Sequence, residues 1–155
     1  MSVQTNKPGF TLVEIMIVVA IIGLLAALGL PSMLEAGKNA RSRRIAREIK
    51  AAGHAFVQYA FDTGAYPADK TPGQIPDGMA PYLGKFPWSE KTTIGGKWDW
   101  DHNVFGVKAA VSVRSSDWGD EQMLTIDELI DNGDLGSGQF RRRSGGYMYV
   151  LEELN

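Results

Sequence analysis

Residues 7–30 read KPGFTLVEIMIVVAIIGLLAALGL, a short basic leader that ends at Gly9 and an apolar run in which Glu14 is the single charge. At about 1.5 Å per residue, the run from Phe10 to Leu30 is long enough to cross a bilayer core of roughly 30 Å. It exceeds the apolar region of roughly 7–15 residues in a cleavable secretory signal, and no suitable cleavage site follows it. The sequence therefore predicts a membrane-spanning helix, with a boundary of interest before the run, between Gly9 and Phe10.

The carboxylate within this run requires an explanation. A charged side chain in the hydrocarbon costs about 3 kcal/mol on insertion scales, so Glu14 is expected to have a partner or a task. An ordinary single-span anchor, with Glu14 facing an interface, is one interpretation. It leaves the adjacent Gly9-Phe10 boundary unexplained.

The block Lys7-Pro8-Gly9-Phe10-Thr11-Leu12-Val13-Glu14, followed by the apolar run and Pro31, resembles the processing motif of type IV prepilins and type II secretion pseudopilins. The resemblance implies that a membrane peptidase cleaves after Gly9, removes the leader 1–9 and methylates the new amine of Phe10. It also implies roles in filament assembly for Phe10, Glu14 and Pro31. In a bundle of such helices, Glu14 is expected to accept from the Phe10 amine of a neighbouring subunit, a pairing that serves register more than stability.

Beyond the apolar run the helical pattern continues. Apolar residues recur at spacings of three, four or their sums, at Leu34, Ile45, Ile49, Ala52, Phe56 and Tyr59 or Ala60. Pro31 removes one helix hydrogen bond, so a kink or local melting is expected there. We expect four segments: the leader 1–9, a transmembrane half of the helix at 10–30, an amphipathic half at 31–63 and a globular head at 64–155.

The head reads as loops followed by strands. Residues 66–96 are rich in proline, with one short helical turn predicted over 79–83, and two alternating segments at 97–103 and 107–114 predict an antiparallel hairpin. A short helix near 122–132 and a last strand at 147–152 follow. The predicted fold class is α+β and pilin-like: one long N-terminal helix packed on a small three-stranded antiparallel sheet, with the tryptophans of the first strand facing the helix.

Charge is distributed unevenly along the chain. Residues 34–50 carry a net charge of +4, and the residues from 51 onward carry −6. The basic segment can be a solvated helix face, a contact for acidic heads or lipid, or a nucleic-acid contact. The positive-inside tendency would keep it cytoplasmic. The resemblance implies the reverse, a single-pass protein of the bacterial inner membrane with its head in the periplasm or outside.

The chain of 155 residues has no cysteine, which excludes disulfides and thiolate metal sites. Because many type IV pilins close a C-terminal loop with a disulfide, this absence favours a pseudopilin. His54 and His102 are too few and too far apart to predict a catalytic or metal site, and no nucleophile or phosphate-binding motif appears. The sequence therefore predicts no enzymatic activity and no cofactor.

Two charged clusters in the head have several interpretations. The order of elements also resembles that of the major pseudopilin of type II secretion. That resemblance implies a calcium ion in a C-terminal loop, which makes Asp117, Asp120, Asp131 and Asp134 weak calcium candidates, although their spacing is not that of an EF-hand. Acidic residues at helix ends explain several of them without a metal. The run Arg141–Arg143 is predicted to be an exposed loop or a contact with an acidic neighbouring subunit.

The leading functional hypothesis is a structural subunit of a type II secretion pseudopilus or type IV pilus-like filament. Its implied partners are copies of itself and other pilin-like subunits, the prepilin peptidase, an inner-membrane assembly platform and membrane lipid. The alternative is a minor pilin of a DNA-uptake system in which the basic segment or Arg141–Arg143 contacts phosphate. The acidic head makes nucleic acid an unlikely partner.

Overall fold

The structure, a computed structural model, describes residues 9–154. The chain divides into two compact units, one ending at Gly37 and the other formed by Lys38–Asn155. The predicted leader lies outside the described residues except for Gly9. One long helix, α1 (Leu12–Thr63), contributes to both units and ends at the predicted residue.

In the first unit α1 is exposed along its whole length. An 18-residue window within the helix has a mean hydropathy of 2.7 with none of its residues buried, so the helix is long and apolar enough to cross a membrane. The helix continues without a break through Pro31, and the local melting predicted there is wrong. One missing hydrogen bond is tolerated because regular helical turns continue on both sides. A kink at Pro31 stays a prediction.

The second unit contains a four-stranded antiparallel sheet with the strand order β1-β2-β4-β3. Its strands are β1 (Lys97–Val104), β2 (Val107–Arg114), β3 (Phe140–Arg143) and β4 (Gly146–Glu153). The hairpin of β1 and β2 and the last strand are confirmed, and the prediction of three strands is wrong. The additional strand, β3, pairs with β4 from Phe140 opposite Tyr149 to Arg143 opposite Gly146. Its three arginines gave no strand signature, because the carboxylates that neutralise them lie elsewhere in the sequence.

Two short helices complete this unit, α2 (Ala80–Leu83) and α3 (Asp120–Ile130). Both were predicted within about two residues. The second half of α1 packs on the sheet through a buried stripe of Ser42, Ile45, Ala46, Ile49, Ala52, Gly53 and Phe56. Leu34, predicted to belong to this stripe, is exposed. Gly53 allows close approach, because a Cβ there would lie 2.8 Å from Cδ2 of Leu151.

An aromatic cluster fills the space between α1 and the sheet. The ring of Phe56 stacks on Trp100 with 3.9 Å between centroids, and Trp88 and Trp98 pack beside them. The indole nitrogen of Trp100 donates to the carbonyl of Pro67 at 2.9 Å, which ties the proline-rich loop to the core. The predicted inward direction of the β1 tryptophans is therefore confirmed.

Candidate functional site

The first candidate site is the start of α1. Gly9 and Phe10 precede the helix, and the side chain of Phe10 is exposed. The amide of Glu14 donates to Oγ1 of Thr11 at 3.2 Å, so Thr11 is the N-cap of the helix. The sequence Thr-x-x-Glu is the signature of a capping box. The residues that resemble the processing motif therefore also predict the start of the helix. The predicted cleavage boundary therefore lies two residues before a capped helix start.

Glu14 occupies the first turn of this helix. A carboxylate there interacts favourably with the positive end of the helix dipole. Its side chain is exposed and forms no ion pair within residues 9–154. In the uncleaved chain the nitrogen of Phe10 is part of a peptide bond, so the predicted partner of Glu14 exists only after cleavage. Pro31, the third predicted assembly residue, lies on the same exposed apolar part of α1.

The second site is a buried ion-pair network in the head that sequence reasoning missed. Nη2 of Arg143 lies 2.6 Å from Oδ2 of Asp99, and its Nε lies 3.1 Å from Oδ2 of Asp101. The hydroxyl of Ser112 also donates to Asp101, and the guanidinium of Arg143 lies 4.7 Å from the ring centroid of Phe105. All three charged side chains are at most 5% exposed. The alternation of aspartate with tryptophan in β1 was the available signal, since it places two carboxylates on one face of the strand.

Burial perturbs the titration of this network. It raises the pKa of Asp99 to about 6, the charge of Asp101 adds to the rise, and Arg143 opposes it. Burial also raises the pKa of Asp101, whereas the hydrogen bond from Ser112 and the charge of Arg143 lower it. The physical cause is that two buried carboxylates share one guanidinium.

Arg141–Arg143 form a strand, so the prediction of an exposed loop is wrong, while the predicted contact with an acidic neighbouring subunit stays a prediction. Arg141 binds Glu153 through two hydrogen bonds of 2.9 Å each, and Arg142 pairs with Asp120. Arg143 is the buried member of the network described above. Each of the three guanidiniums is thus neutralised within its own subunit.

The four calcium candidates have separate surroundings. The pKa of Asp120 is lowered by the Tyr147 hydroxyl and by Arg142. Asp131 accepts from the amide of Gln139, while Asp134 accepts from the amide of Gly136 at 2.9 Å and from the hydroxyl of Ser137 at 2.7 Å. Asp117 is exposed next to Gly95. Within residues 9–154, no three histidine, cysteine or acidic side chains are placed to hold a metal ion.

Asp127 of α3 belongs to the acidic group between Asp117 and Asp134, but it is not one of the four calcium candidates. It is fully buried, and neither of its carboxylate oxygens forms a hydrogen bond. Burial raises its pKa, and the nearby charge of Asp131 adds to the rise, while the amides of Gly133 and Asp134 offset only part of it. From the sequence, Asp127 is indistinguishable from the exposed acids around it.

The two histidines lie in separate elements, and among residues 9–154 neither joins a group of potential metal ligands. His54 is exposed on α1, and His102 lies in β1 with its Nε2 3.1 Å from Nδ2 of Asn103. The ring of His102 stacks near Trp100 at 6.4 Å between centroids. His102 is therefore a half-buried ring that packs at the edge of the aromatic cluster.

Comparison with known proteins finds similar sequences for the start of the chain. The family model for the prokaryotic N-terminal methylation motif matches residues 5–30. The type II secretion system core protein G of Pseudomonas aeruginosa is 43% identical over 65 residues, which cover 42% of this chain and 46% of that protein. The type IV major alpha-pilin of Moraxella bovis is 44% identical over 61 residues, 39% of this chain and 38% of the pilin. Each alignment thus spans less than half the length of the relative.

A solved structure shares the fold. The major type IV pilin PilA1 from Clostridium difficile gives a TM-score of 0.50 at 16% identity, over 73% of this chain and 94% of the pilin chain. That similarity concerns the long helix packed on an antiparallel sheet. The chain thus carries the prokaryotic N-terminal methylation motif at the start of that helix, is similar over part of its length to a type II secretion core protein and a type IV pilin, and shares the fold of a type IV pilin.

Proposed function

We propose that this chain is a structural subunit of a type II secretion pseudopilus or type IV pilus-like filament. The observation that carries the proposal is the position of the Gly9-Phe10 boundary immediately before an exposed apolar helix. A surface of this size needs lipid or other apolar helices to cover it. The membrane covers this apolar helix before assembly, and the neighbouring helices of the filament core cover it afterwards.

The residues at the helix start suggest the order of events. A prepilin peptidase hydrolyses the Gly9–Phe10 bond with one water molecule, which leaves a carboxylate on Gly9 and a free amine on Phe10. The amine nitrogen then takes a methyl group from a sulfonium-type methyl donor, whose carbon–sulfur bond breaks, and one proton is released. The new amine lies near the positive end of the helix dipole and needs a negative partner. Glu14 of a neighbouring subunit supplies it, so cleavage creates the group that assembly requires.

The proposed location follows from the same segment. The chain crosses the bacterial inner membrane once, with residues 1–9 on the cytoplasmic side and the head in the periplasm or outside. An inner-membrane assembly platform then extracts it into the filament, together with other pilin-like subunits. Secretion is the favoured system, because the chain has no cysteine for the pilin disulfide and one relative is a secretion core protein.

DNA uptake receives no support from Arg141–Arg143. Phosphate contacts require accessible cations. Two of these guanidiniums bind carboxylates at the surface and the third is buried.

Mass spectrometry of the mature chain tests the processing step directly. In a strain that contains a prepilin peptidase, the chain should begin at Phe10 and carry one additional methyl group. A Gly9→Leu variant is the matched control and should keep its leader. Retention of residues 1–9 by the unaltered chain in that strain would contradict the proposal.

A further inference from the structure

The unit Lys38–Asn155 presents two exposed surfaces of opposite charge. On α1, Arg43 and Arg47 lie one turn apart, opposite to the buried Ile45 and Ile49. We call these two arginines the basic face. Both side chains are exposed, and neither forms an ion pair within the described part of the chain. The neighbouring Arg44 differs, because it pairs with Glu48 at 2.7 Å.

The opposite charge lies on α3. Glu121 and Glu128 are two turns apart on the side of the helix that faces away from the buried Met123 and Ile126. Leu124 lies between them and is 38% exposed. We call Glu121, Leu124 and Glu128 the acidic face. Among residues 9–154, neither glutamate has an ion-pair partner, in contrast to Asp120 at the start of the same helix.

The two faces do not satisfy each other within one subunit. Within a subunit, Nζ of Lys50 reaches the carbonyl of Ile130 at 3.4 Å, so α1 contacts the last residue of α3. The outward-facing glutamates remain free of arginine partners. A second copy of the chain is therefore the occupant that fits each face.

We infer that the acidic face of one subunit docks against the basic face of a second copy, and that this contact sets the register between neighbouring heads. The inference rests on the proposed filament function. Opposite charges steer association and select the orientation, while Leu124 adds an apolar contact at the centre. The spacing along each helix is about 6 Å for the arginines and about 10 Å for the glutamates, a difference within the reach of flexible arginine side chains.

The two faces lie on different helices of each subunit. When the contact forms in one direction only, a docked pair still has one free face of each kind. Such a heterologous contact does not close on itself unless the rotation forms a ring, and it propagates as a helical filament. An interface of this kind suits a filament better than a dimer.

Charge reversal in the full-length chain tests the contact. Assembly is measured as the sedimentable filament fraction from cells that express each variant. Glu121→Lys with Glu128→Lys, and separately Arg43→Glu with Arg47→Glu, should each lower the filament yield at least about tenfold. Combining all four substitutions should restore the yield to within about threefold of the unaltered chain, because the attraction is rebuilt with the signs exchanged. Glu90→Lys, an exposed reversal on the loop before β1, is the matched control and should assemble normally.

The outcomes separate this inference from the proposed function. Failure of the unaltered chain to form filaments would contradict the proposed function. Normal assembly by the unaltered chain and by both reversal variants would overturn only the inferred contact. Loss in the arginine variant without loss in the glutamate variant, or loss without rescue in the fourfold variant, would also overturn it and would point to lipid or another protein at the basic face.

Cross-linking gives a second measurement that does not depend on yield. Because the chain contains no cysteine, the introduced thiols are the only thiols that this chain contributes, and the two tags distinguish mixed from identical disulfide pairs. Filaments co-assembled from an Arg47→Cys chain and a differently tagged Glu128→Cys chain should give mixed disulfide dimers on oxidation. Replacing the first chain with Gln58→Cys, which is exposed farther along α1, should lower the mixed product at least about fivefold, since helical rise separates the two positions by about 16 Å. Equal cross-linking by both pairs would overturn the contact.

Discussion

The two units of this chain differ in where their side chains find contact partners. In the unit that ends at Gly37, the described residues are all exposed and mostly apolar. In the unit Lys38–Asn155, aromatic rings fill a core, and the buried Arg143 pairs with Asp99 and Asp101. The first unit therefore depends on surroundings outside the chain, whereas the second contains the partners for its own core.

The largest expected effect is on filament yield, and it comes from a substitution in the first unit that removes its proposed contact with a neighbouring subunit. Glu14→Gln should leave membrane insertion and cleavage after Gly9 intact, yet lower filament yield by at least about tenfold, because the amine of Phe10 loses its anionic partner. The measurement compares processed chain and sedimentable filament from the same cells. Glu35→Gln, an exposed residue later in α1, is the control. A Glu14→Gln variant that assembles like the unaltered chain would exclude the ion pair.

The second prediction concerns the contribution of the buried ion-pair network to the stability of the head. Arg143→Met leaves Asp99 and Asp101 buried without a counter-charge, which should lower the free energy of unfolding by about 3–5 kcal/mol. Tryptophan fluorescence during denaturation of the full chain in detergent measures it, since every tryptophan lies in the head. Arg142→Met removes only a surface pair and should change little. Equal effects of the two substitutions would contradict the role of burial.

The third prediction concerns how the free energy of unfolding of the head changes with pH. Because the folded pKa of Asp99 is raised to about 6, its contribution to stability is present below about pH 4 and is lost as the pH rises toward 6. The expected loss is on the order of 1–3 kcal/mol for the head. Asp101→Asn removes the neighbouring charge and should flatten this slope. Stability that does not change between pH 4 and 6 in the unaltered chain would refute it.

At lower pH, the free energy of unfolding of the head is expected to change with pH in the opposite direction. The pKa of Asp120 is lowered, so its contribution is present above its unfolded pKa and is lost as the pH falls below about 4. The pKa of Asp134 is also lowered, by the Ser137 hydroxyl and the Gly136 amide, so an Asp120→Asn variant should weaken this acid limb and keep the slope between pH 4 and 6. The two variants therefore assign the two limbs to different carboxylates.

The smallest expected effect concerns the start of α1. Thr11→Val removes the capping oxygen and should cost about 1 kcal/mol, seen as roughly fivefold faster hydrogen exchange of the Glu14 amide. Thr11→Ser keeps the oxygen and should exchange at nearly the original rate. Similar exchange in both variants would show that the surroundings of the helix, rather than its own cap, protect the first turn.

Sequence reading succeeded where the signal is local. The apolar run, the alternation in β1 and β2 and the stop of α1 near Gly64 depend on neighbouring residues, and the structure confirms them. It failed at β3, because Arg143 finds its carboxylates more than 40 residues earlier in the chain, at Asp99 and Asp101. Pairing over such separations leaves no periodic pattern.

The same limit applies to the charged surfaces. The basic segment and the acidic head were visible as net charges, and the predictions left open what the segment contacts. Which charges are already paired depends on tertiary structure, as the contrast between Arg44 and Arg47 shows. The pairing of Phe10, Glu14 and the neighbouring subunit stays a prediction, since it involves a second copy of the chain.

Gly53 offers a way to measure the distance between α1 and the sheet. A methyl group at this position would meet Leu151 at 2.8 Å and Tyr149 at 3.2 Å, both on β4. The helix and the strand would have to separate, or those side chains would have to turn outward. A series from glycine through alanine to valine therefore acts as a set of spacers of increasing thickness. Filament pitch measured against that series would show how closely the thickness of one head controls the geometry of the whole assembly.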